Sequence, residues 1–202
     1  MALRIGILLY DGFDLIDSGG PYEVFLTASR LAERDGDDSL YDVALLSPTG
    51  ADVTAFGGMK VTGTVAASDA GALHTLIVPG LVDIAAARRS EEVSAALSTL
   101  AAAAQTVASV CTGAFLVADQ GLLDGKAATT HWEDVALLAA EGRIGEGVEG
   151  VRWVDNGAVV TSGGLTSGMH MALHLVDRDF GVQTARRTAR QLDLDWDPSP
   201  AR

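Results

Sequence analysis

The segment Ser109-Val110-Cys111-Thr112-Gly113 contains the residue best suited to covalent chemistry. An apolar strand is predicted to end at Val110, and a helix is predicted to begin directly after the cysteine. The small residues at positions 109 and 113 permit the tight strand-to-helix turn that holds a nucleophile above a sheet. The free N–H groups and partial positive charge at a helix start favour a thiolate. We therefore predict a reactive thiol at Cys111, although the more common fate of a free cysteine is to pack as a small apolar side chain.

A carboxylate follows the first predicted strand of the chain. Asp17 lies just before Gly19-Gly20-Pro21, where we predict that a helix begins. Ligands of open α/β sheets bind beyond the carboxyl ends of the strands, so Asp17 and Cys111 are expected to face one crevice. There the carboxylate can exchange protons with the thiol. The alternative is that Asp17 only caps the helix, a role that suits aspartate.

The segment Val78-Pro79-Gly80-Leu81 ends another predicted strand. One role open to its backbone N–H groups is to stabilise negative charge that develops opposite the thiol. The alternative is an ordinary Pro-Gly turn, which the sequence alone favours.

Histidines offer a second route to thiol activation and a possible metal site. His131, in Ala128-Thr129-Thr130-His131-Trp132, follows the cysteine helix and either pairs with the thiol or has a structural role. His170 and His174 have the i, i+4 spacing of a metal-binding pair. No third ligand accompanies them, so we predict no metal site.

Apolar runs alternate with helical segments along the whole chain, which predicts a parallel sheet with helices on both faces. Predicted strands cover residues 4–10, 41–47, 75–79 and 106–110, with hairpins at 52–63 and 151–161. Predicted helices cover a segment from Pro21 onward and residues 91–105, 114–119, 133–141, 167–180 and 182–192.

Composition limits the classes of protein to which the chain can belong. Its 202 residues are 48% hydrophobic and 20% charged, which predicts one globular domain over residues 1–202. The apolar runs are too short to span a membrane. The net charge of −13 disfavours binding to nucleic acid. A single cysteine and the lack of a secretory signal are consistent with a cytoplasmic location.

Four motifs together resemble those of the ThiJ/PfpI superfamily, and they resemble most closely those of its isonitrile hydratases. The motifs are Ser109 to Gly113, Gly121-Leu122-Leu123-Asp124-Gly125, Ala128 to Trp132, and Gly163-Gly164-Leu165-Thr166-Ser167-Gly168. The similarity extends from Arg4 to about Pro200. It implies an α/β fold that is flavodoxin-like, a class I glutamine amidotransferase-like three-layer sandwich with a mostly parallel central sheet.

The resemblance also implies an activity and a set of site residues. The implied reaction hydrates an isonitrile to an N-substituted formamide, with no cofactor and no metal, and the implied assembly is a homodimer. Cys111 would be the nucleophile, Asp17 the general acid/base, and Thr112 a supporting residue beside the sulfur. Substrate contacts are implied for Gly80, Leu81, Leu165 and His131.

The sequence departs from the family pattern in one place and leaves other functions open. Leu81 occupies a position where the family often has a second glycine, and it is expected to narrow the pocket or alter the N–H geometry there. One alternative is a different cysteine enzyme of the superfamily, such as a glyoxalase or amidase. Another is a non-enzymatic ligand-binding or redox-sensing domain. Such domains occur in regulators that continue into a helix-turn-helix domain, and we do not expect a helix-turn-helix domain here.

Overall fold

A seven-stranded sheet lies at the centre of the computed structural model, which describes residues 1–201. Arg202, the last residue of the predicted domain, lies outside the described residues. The strands are β1 (Leu3–Leu8), β2 (Tyr41–Ser47), β3 (Val53–Thr54), β4 (Lys60–Val61), β5 (Val65–Ala66), β6 (Leu73–Val78), β7 (Ala104–Val110), β8 (Ala127–Ala128), β9 (Glu146–Gly147), β10 (Trp153–Asp155) and β11 (Val159–Ser162). The helices are α1 (Leu15–Arg34), α2 (Ile84–Arg88), α3 (Glu91–Ala103), α4 (Gly113–Asp119), α5 (Val135–Ala140), α6 (Ser167–Phe180) and α7 (Val182–Gln191), with a 3-10 turn at Ala67–Asp69.

The sheet has the strand order β10-β11-β7-β6-β1-β2-β5, and every pairing is parallel except that of β10 with β11. Helices α1, α6 and α7 pack together as one layer, and α2, α3 and α4 form the other. Because both faces are covered, the last four residues of β1 and of β6 are all buried. This mostly parallel three-layer sandwich confirms the predicted flavodoxin-like α/β fold.

The beginning of α1 differs from the prediction. The helix begins at Leu15, because the Asp14 side chain accepts a hydrogen bond from the Ile16 N–H (3.1 Å) and so caps the helix. Pro21 therefore lies inside the helix rather than at its start, and Asp17 lies in the first turn. The predicted helix 91–105 also ends early, because Ala104 already pairs with Leu73 in the sheet.

The parallel strands bring three chain segments to one edge of the sheet. The carboxyl ends of β1, β6 and β7 are neighbours in the strand order, and Asp17, Gly80 and Cys111 follow them along the chain. No helix within residues 1–201 is both long enough and apolar enough to cross a lipid bilayer.

Candidate active site

Cys111 occupies a left-handed turn between β7 and α4, as the sequence predicts for a nucleophile. Its φ of +55° lies in the region that non-glycine residues rarely adopt. Gly113 makes this turn possible, because a Cβ there would lie 2.3 Å from the Val78 carbonyl oxygen. The requirement for a small residue two positions after the cysteine is therefore a requirement for close packing against the end of β6.

Hydrogen bonds hold the backbone of Cys111 in this conformation. Its N–H donates to the carbonyl oxygens of Ser162 (3.2 Å) and Gly163 (3.3 Å), at the end of β11. Its own carbonyl oxygen accepts a hydrogen bond from the Thr130 hydroxyl (2.7 Å). A strained turn persists only where its surroundings determine it this closely, so the backbone that carries the sulfur is held in place.

The carboxyl group of Asp17 is fully buried and is held by two backbone N–H groups. Gly80 donates to Oδ2 (3.1 Å) and Leu165 donates to Oδ1 (3.2 Å). Asp17 is not the helix cap, since Asp14 has that role. The geometry therefore matches the predicted position of Asp17 beside the thiol and not the alternative capping role.

Burial, together with the nearby charge of Asp14, raises the pKa of Asp17 to a net value of about 7. The N–H groups of Gly80 and Leu165 and the Cys111 thiol act in the opposite direction, because they stabilise the carboxylate. A carboxyl group that titrates near neutral pH can both accept and donate a proton during a reaction.

Burial also raises the pKa of the Cys111 thiol to about 12, and the negative charge of Asp17 contributes. The Thr112 N–H, at the start of α4, favours the thiolate, as predicted, but its effect is smaller than that of burial. The expectation of a resting thiolate is therefore not met. The thiol is therefore protonated near neutral pH, and the carboxyl of Asp17 is the acidic group that affects it most strongly.

The backbone N–H groups of Gly80 and Leu81 do not have the charge-stabilising arrangement that was one of the two alternatives. The Gly80 N–H donates to Asp17, and the Leu81 N–H donates to the Thr112 hydroxyl oxygen (2.9 Å). That hydroxyl in turn donates to the Leu81 carbonyl oxygen (2.8 Å). Both N–H groups therefore orient side chains of the site and are not free to stabilise developing negative charge.

The thiol opens into a cavity of about 290 Å³. Its lining comprises Asp14, Leu81, Val82, Cys111, Thr112, His131, Glu133, Asp134 and Leu165. Asp17 and Gly80 lie behind this wall, so all seven sequence-derived candidates come together in one place. A second cavity of about 420 Å³ adjoins the first, with His131 and Leu165 shared by both.

His131 is close to the sulfur, but its Nδ1 faces two carboxylates. Its Nδ1 lies 3.6 Å from Glu133 and 3.8 Å from Asp134. Gly164 packs against both groups, since a Cβ there would lie 2.4 Å from His131 Cδ2 and 3.3 Å from the sulfur. The described contacts hold no hydrogen bond between His131 and Cys111, so they do not support the Cys–His pair.

In the other histidine pair, His170 lines the second cavity and His174 has a structural role. His174 Nε2 contacts Asp155 at 2.7 Å, and its ring stacks on Trp153. Among residues 1–201, no three His, Cys, Asp or Glu side chains are grouped closely enough to hold a metal ion.

Three contributors to the site were not identified from the sequence. The Tyr10 hydroxyl donates to the Pro79 carbonyl oxygen beside the site. Asp14 caps α1 and lines the cavity, and Gly164 allows His131 and Cys111 to approach each other. Gly164 belongs to a motif that was recognised, whereas no spacing or composition signal marks the Tyr10 hydroxyl.

The chain is similar to a known protein family and to several known proteins. Residues 3–178 match the sequence profile of the DJ-1/PfpI family. Isonitrile hydratase from Pseudomonas putida is 34% identical over 200 residues, which are 99% of this chain and 81% of that protein. HTH-type transcriptional regulator GbdR from Pseudomonas aeruginosa is 34% identical over 178 residues, which are 88% of this chain and 47% of that protein. The solved structure of a THiJ/PfpI family protein from Pseudomonas syringae superposes with a TM-score of 0.83 at 26% identity, covering 98% of this chain and 77% of that chain.

Proposed function

The chain belongs to the DJ-1/PfpI family, and from this premise we propose that it is a cysteine-dependent hydratase that converts an isonitrile into an N-substituted formamide. The main support is the placement of the Cys111 turn beside the buried carboxyl of Asp17 at one sheet edge. The similarity to isonitrile hydratase over nearly the whole chain supports the substrate class.

The first half-reaction forms a covalent bond to sulfur. The Asp17 carboxylate accepts the thiol proton as Cys111 attacks the terminal carbon of R–N≡C. Asp17 then delivers that proton to the same carbon, which gives the thioimidate R–N=CH–S–Cys111. The Asp17 pKa of about 7 suits both proton transfers near neutral pH.

The second half-reaction adds water and releases the product. The Asp17 carboxylate removes a proton from a water molecule that attacks the thioimidate carbon, and it passes this proton to the substrate nitrogen. The carbon–sulfur bond then breaks, and the proton of the new hydroxyl group returns to sulfur. The product is R–NH–CHO, and the thiol and the carboxylate are both regenerated.

Steady-state hydration of cyclohexyl isonitrile tests these roles. We expect Cys111→Ala to show no turnover, and Asp17→Asn to lose about 10²–10⁴-fold in kcat, the usual contribution of an acid/base group. Asp11→Asn is the matched control, because Asp11 is an exposed aspartate of the neighbouring loop that binds the Thr54 N–H. Wild-type kcat in either site variant would contradict the role proposed for that residue.

A second candidate function is a binding or redox-sensing domain without turnover. The 34% identity to GbdR, an HTH-type regulator, favours it. A panel of isonitriles, methylglyoxal and simple amides separates it from catalysis and distinguishes the other cysteine enzymes. Selective oxidation of Cys111 by mild peroxide, with no turnover of any panel compound, would favour sensing over catalysis.

We further propose that the chain forms a homodimer, as its family resemblance implies. Large apolar side chains are exposed beside the two cavities, with Val82 at 66% and Trp132 at 65% exposure. Light scattering is expected to give twice the chain mass of 20.9 kDa. A Trp132→Glu variant is expected to weaken the association, and a monomeric wild-type chain would contradict the proposal.

A further inference from the structure

A buried tyrosine supports the chain segment that contacts Asp17 and Thr112. Tyr10 lies two residues after β1 and is 2% exposed. Its hydroxyl donates a hydrogen bond to the carbonyl oxygen of Pro79, a buried residue at the end of β6. The next residue is Gly80, whose N–H binds the Asp17 carboxyl, and Leu81 then binds the Thr112 hydroxyl.

We propose that Tyr10 is a positioning residue that fixes the corner formed by residues 79–81 and thereby sets the proton balance between Cys111 and Asp17. The consequence for catalysis rests on the proposed function, whereas the consequence for the thiol does not. The backbone of this corner holds both Asp17 and Thr112, and Thr112 directly follows Cys111. A displacement of the corner therefore changes the surroundings of both Asp17 and Cys111.

Two neighbours pack closely against the Pro79 carbonyl oxygen. The Tyr10 hydroxyl donates a hydrogen bond to it. A Cβ built on Gly113 would lie 2.8 Å from the same oxygen. Within residues 1–201, no donor other than the Tyr10 hydroxyl binds this oxygen. Loss of the hydroxyl would therefore leave a buried acceptor without a partner, and the corner would shift to relieve it.

The direction of the effect follows from the Gly80 contact. The Gly80 N–H favours the ionised form of Asp17, so a weaker contact raises the pKa of that carboxyl. Burial holds the pKa of Tyr10 above its usual range, so its hydroxyl remains a donor and does not exchange protons with the pair. The other titratable groups that face the site are those of Asp14, His131, Glu133 and Asp134.

Alkylation of Cys111 by iodoacetamide tests the proposal without any isonitrile. Cys111 is the chain's one cysteine, so the modification is unambiguous. The rate is expected to rise with pH as Asp17 ionises and can accept the thiol proton. In Tyr10→Phe we expect the midpoint of this rise to move upward by about half a pH unit, which lowers the rate at pH 7 roughly twofold.

Tyr41→Phe is the matched control. Tyr41 is equally buried and lies at the start of β2, at the end of the sheet opposite to Cys111. Its hydroxyl binds Asp179 (2.9 Å). This variant also loses one buried hydroxyl, but its alkylation midpoint is expected to equal that of the wild type. Equal midpoints for Tyr10→Phe and the wild type would overturn the proposal, as would an equal shift in both variants.

A measurement on the unaltered protein keeps the proposal testable if Tyr10→Phe does not fold. The buried Tyr10 hydroxyl proton is expected to give a slowly exchanging NMR signal. We expect its chemical shift to change with the same midpoint as the alkylation rate. A signal that stays constant through that midpoint would overturn the proposal. Because neither readout uses an isonitrile, failure of the hydratase assay alone would contradict only the proposed function.

Discussion

Leu165 donates its backbone N–H to the carboxyl group of Asp17 at 3.2 Å, although 148 residues separate the two in the chain. Leu165 has a φ of +55° and is 43% exposed. The contact therefore depends on the left-handed backbone just before α6 and not on the leucine side chain. The side chain instead forms part of the wall between the two cavities.

We expect Leu165→Gly to be more stable than Leu165→Ala. Both variants remove the side chain from the cavity walls, but only glycine adopts a positive φ without strain. The difference in the free energy of unfolding is expected to be about 1 kcal/mol, the usual cost of a left-handed non-glycine residue. Urea denaturation of the two variants measures it. An alanine variant at least as stable as the glycine variant would show that the turn stores no strain.

The buried carboxyl of Asp17 should make stability depend on pH. Its pKa is raised from 3.8 in the unfolded chain to about 7 in the fold, so the folded protein retains a proton that the unfolded chain has lost between these values. This contribution to stability is complete below pH 4 and is lost as the pH rises through 7. It amounts to at most about 4 kcal/mol.

Asp17→Asn removes this dependence, because an amide does not titrate. We expect the stability of the variant relative to the wild type to improve between pH 4 and pH 8. Urea denaturation at both pH values measures the change, with Asp11→Asn as the control, since Asp11 is an exposed aspartate near the start of α1. A constant difference between Asp17→Asn and the wild type would mean that Asp17 titrates normally in the fold.

Gly164→Ala is expected to damage the site. The added Cβ would lie 2.4 Å from His131 Cδ2 and 3.3 Å from the Cys111 sulfur, so the imidazole ring must move into the cavity. We expect kcat/KM for the isonitrile to fall at least about tenfold, since small displacements at a reacting centre are costly.

The matched control for Gly164→Ala is Gly19→Ala, because a Cβ at Gly19 meets no atom within 4 Å. Gly19 lies within α1, where alanine is favoured over glycine by about 1 kcal/mol. We therefore expect the control to retain its activity and to gain stability. Equal activities of the two variants would show that the ring is free to adjust.

The elements and most of the site were predictable, because both depend on local patterns. Buried strands read as apolar runs, and a cysteine between small residues marks the turn at Cys111. The start of α1 was not predictable in the same way. Proline often opens a helix, but here the Asp14 cap acts six residues before the position expected from Pro21.

The remaining features of the site depend on contacts between distant segments. The sequence left open whether the N–H groups of Gly80 and Leu81 are free, and the structure shows that Asp17 and Thr112 occupy them from other parts of the chain. The protonation of Cys111 likewise depends on burial and on Asp17, which outweigh the start of the helix. A sequence pattern states which groups reach the edge of a sheet but not how they pair there.

The charge around the cavity should select among isonitriles. Asp14, Glu133 and Asp134 line the cavity that holds Cys111, and the chain as a whole carries a net charge of −13. A substrate with its own carboxylate is therefore repelled on entry, and salt is expected to reduce this repulsion. We expect methyl isocyanoacetate to be hydrated with a kcat/KM at least about tenfold above that of the isocyanoacetate anion, which corresponds to roughly 1.4 kcal/mol.

Glu133→Gln tests whether the cavity carboxylates cause this difference. We expect the variant to raise kcat/KM for the anion while leaving that for the ester nearly unchanged. Equal rates for ester and anion at low salt would contradict this electrostatic selection.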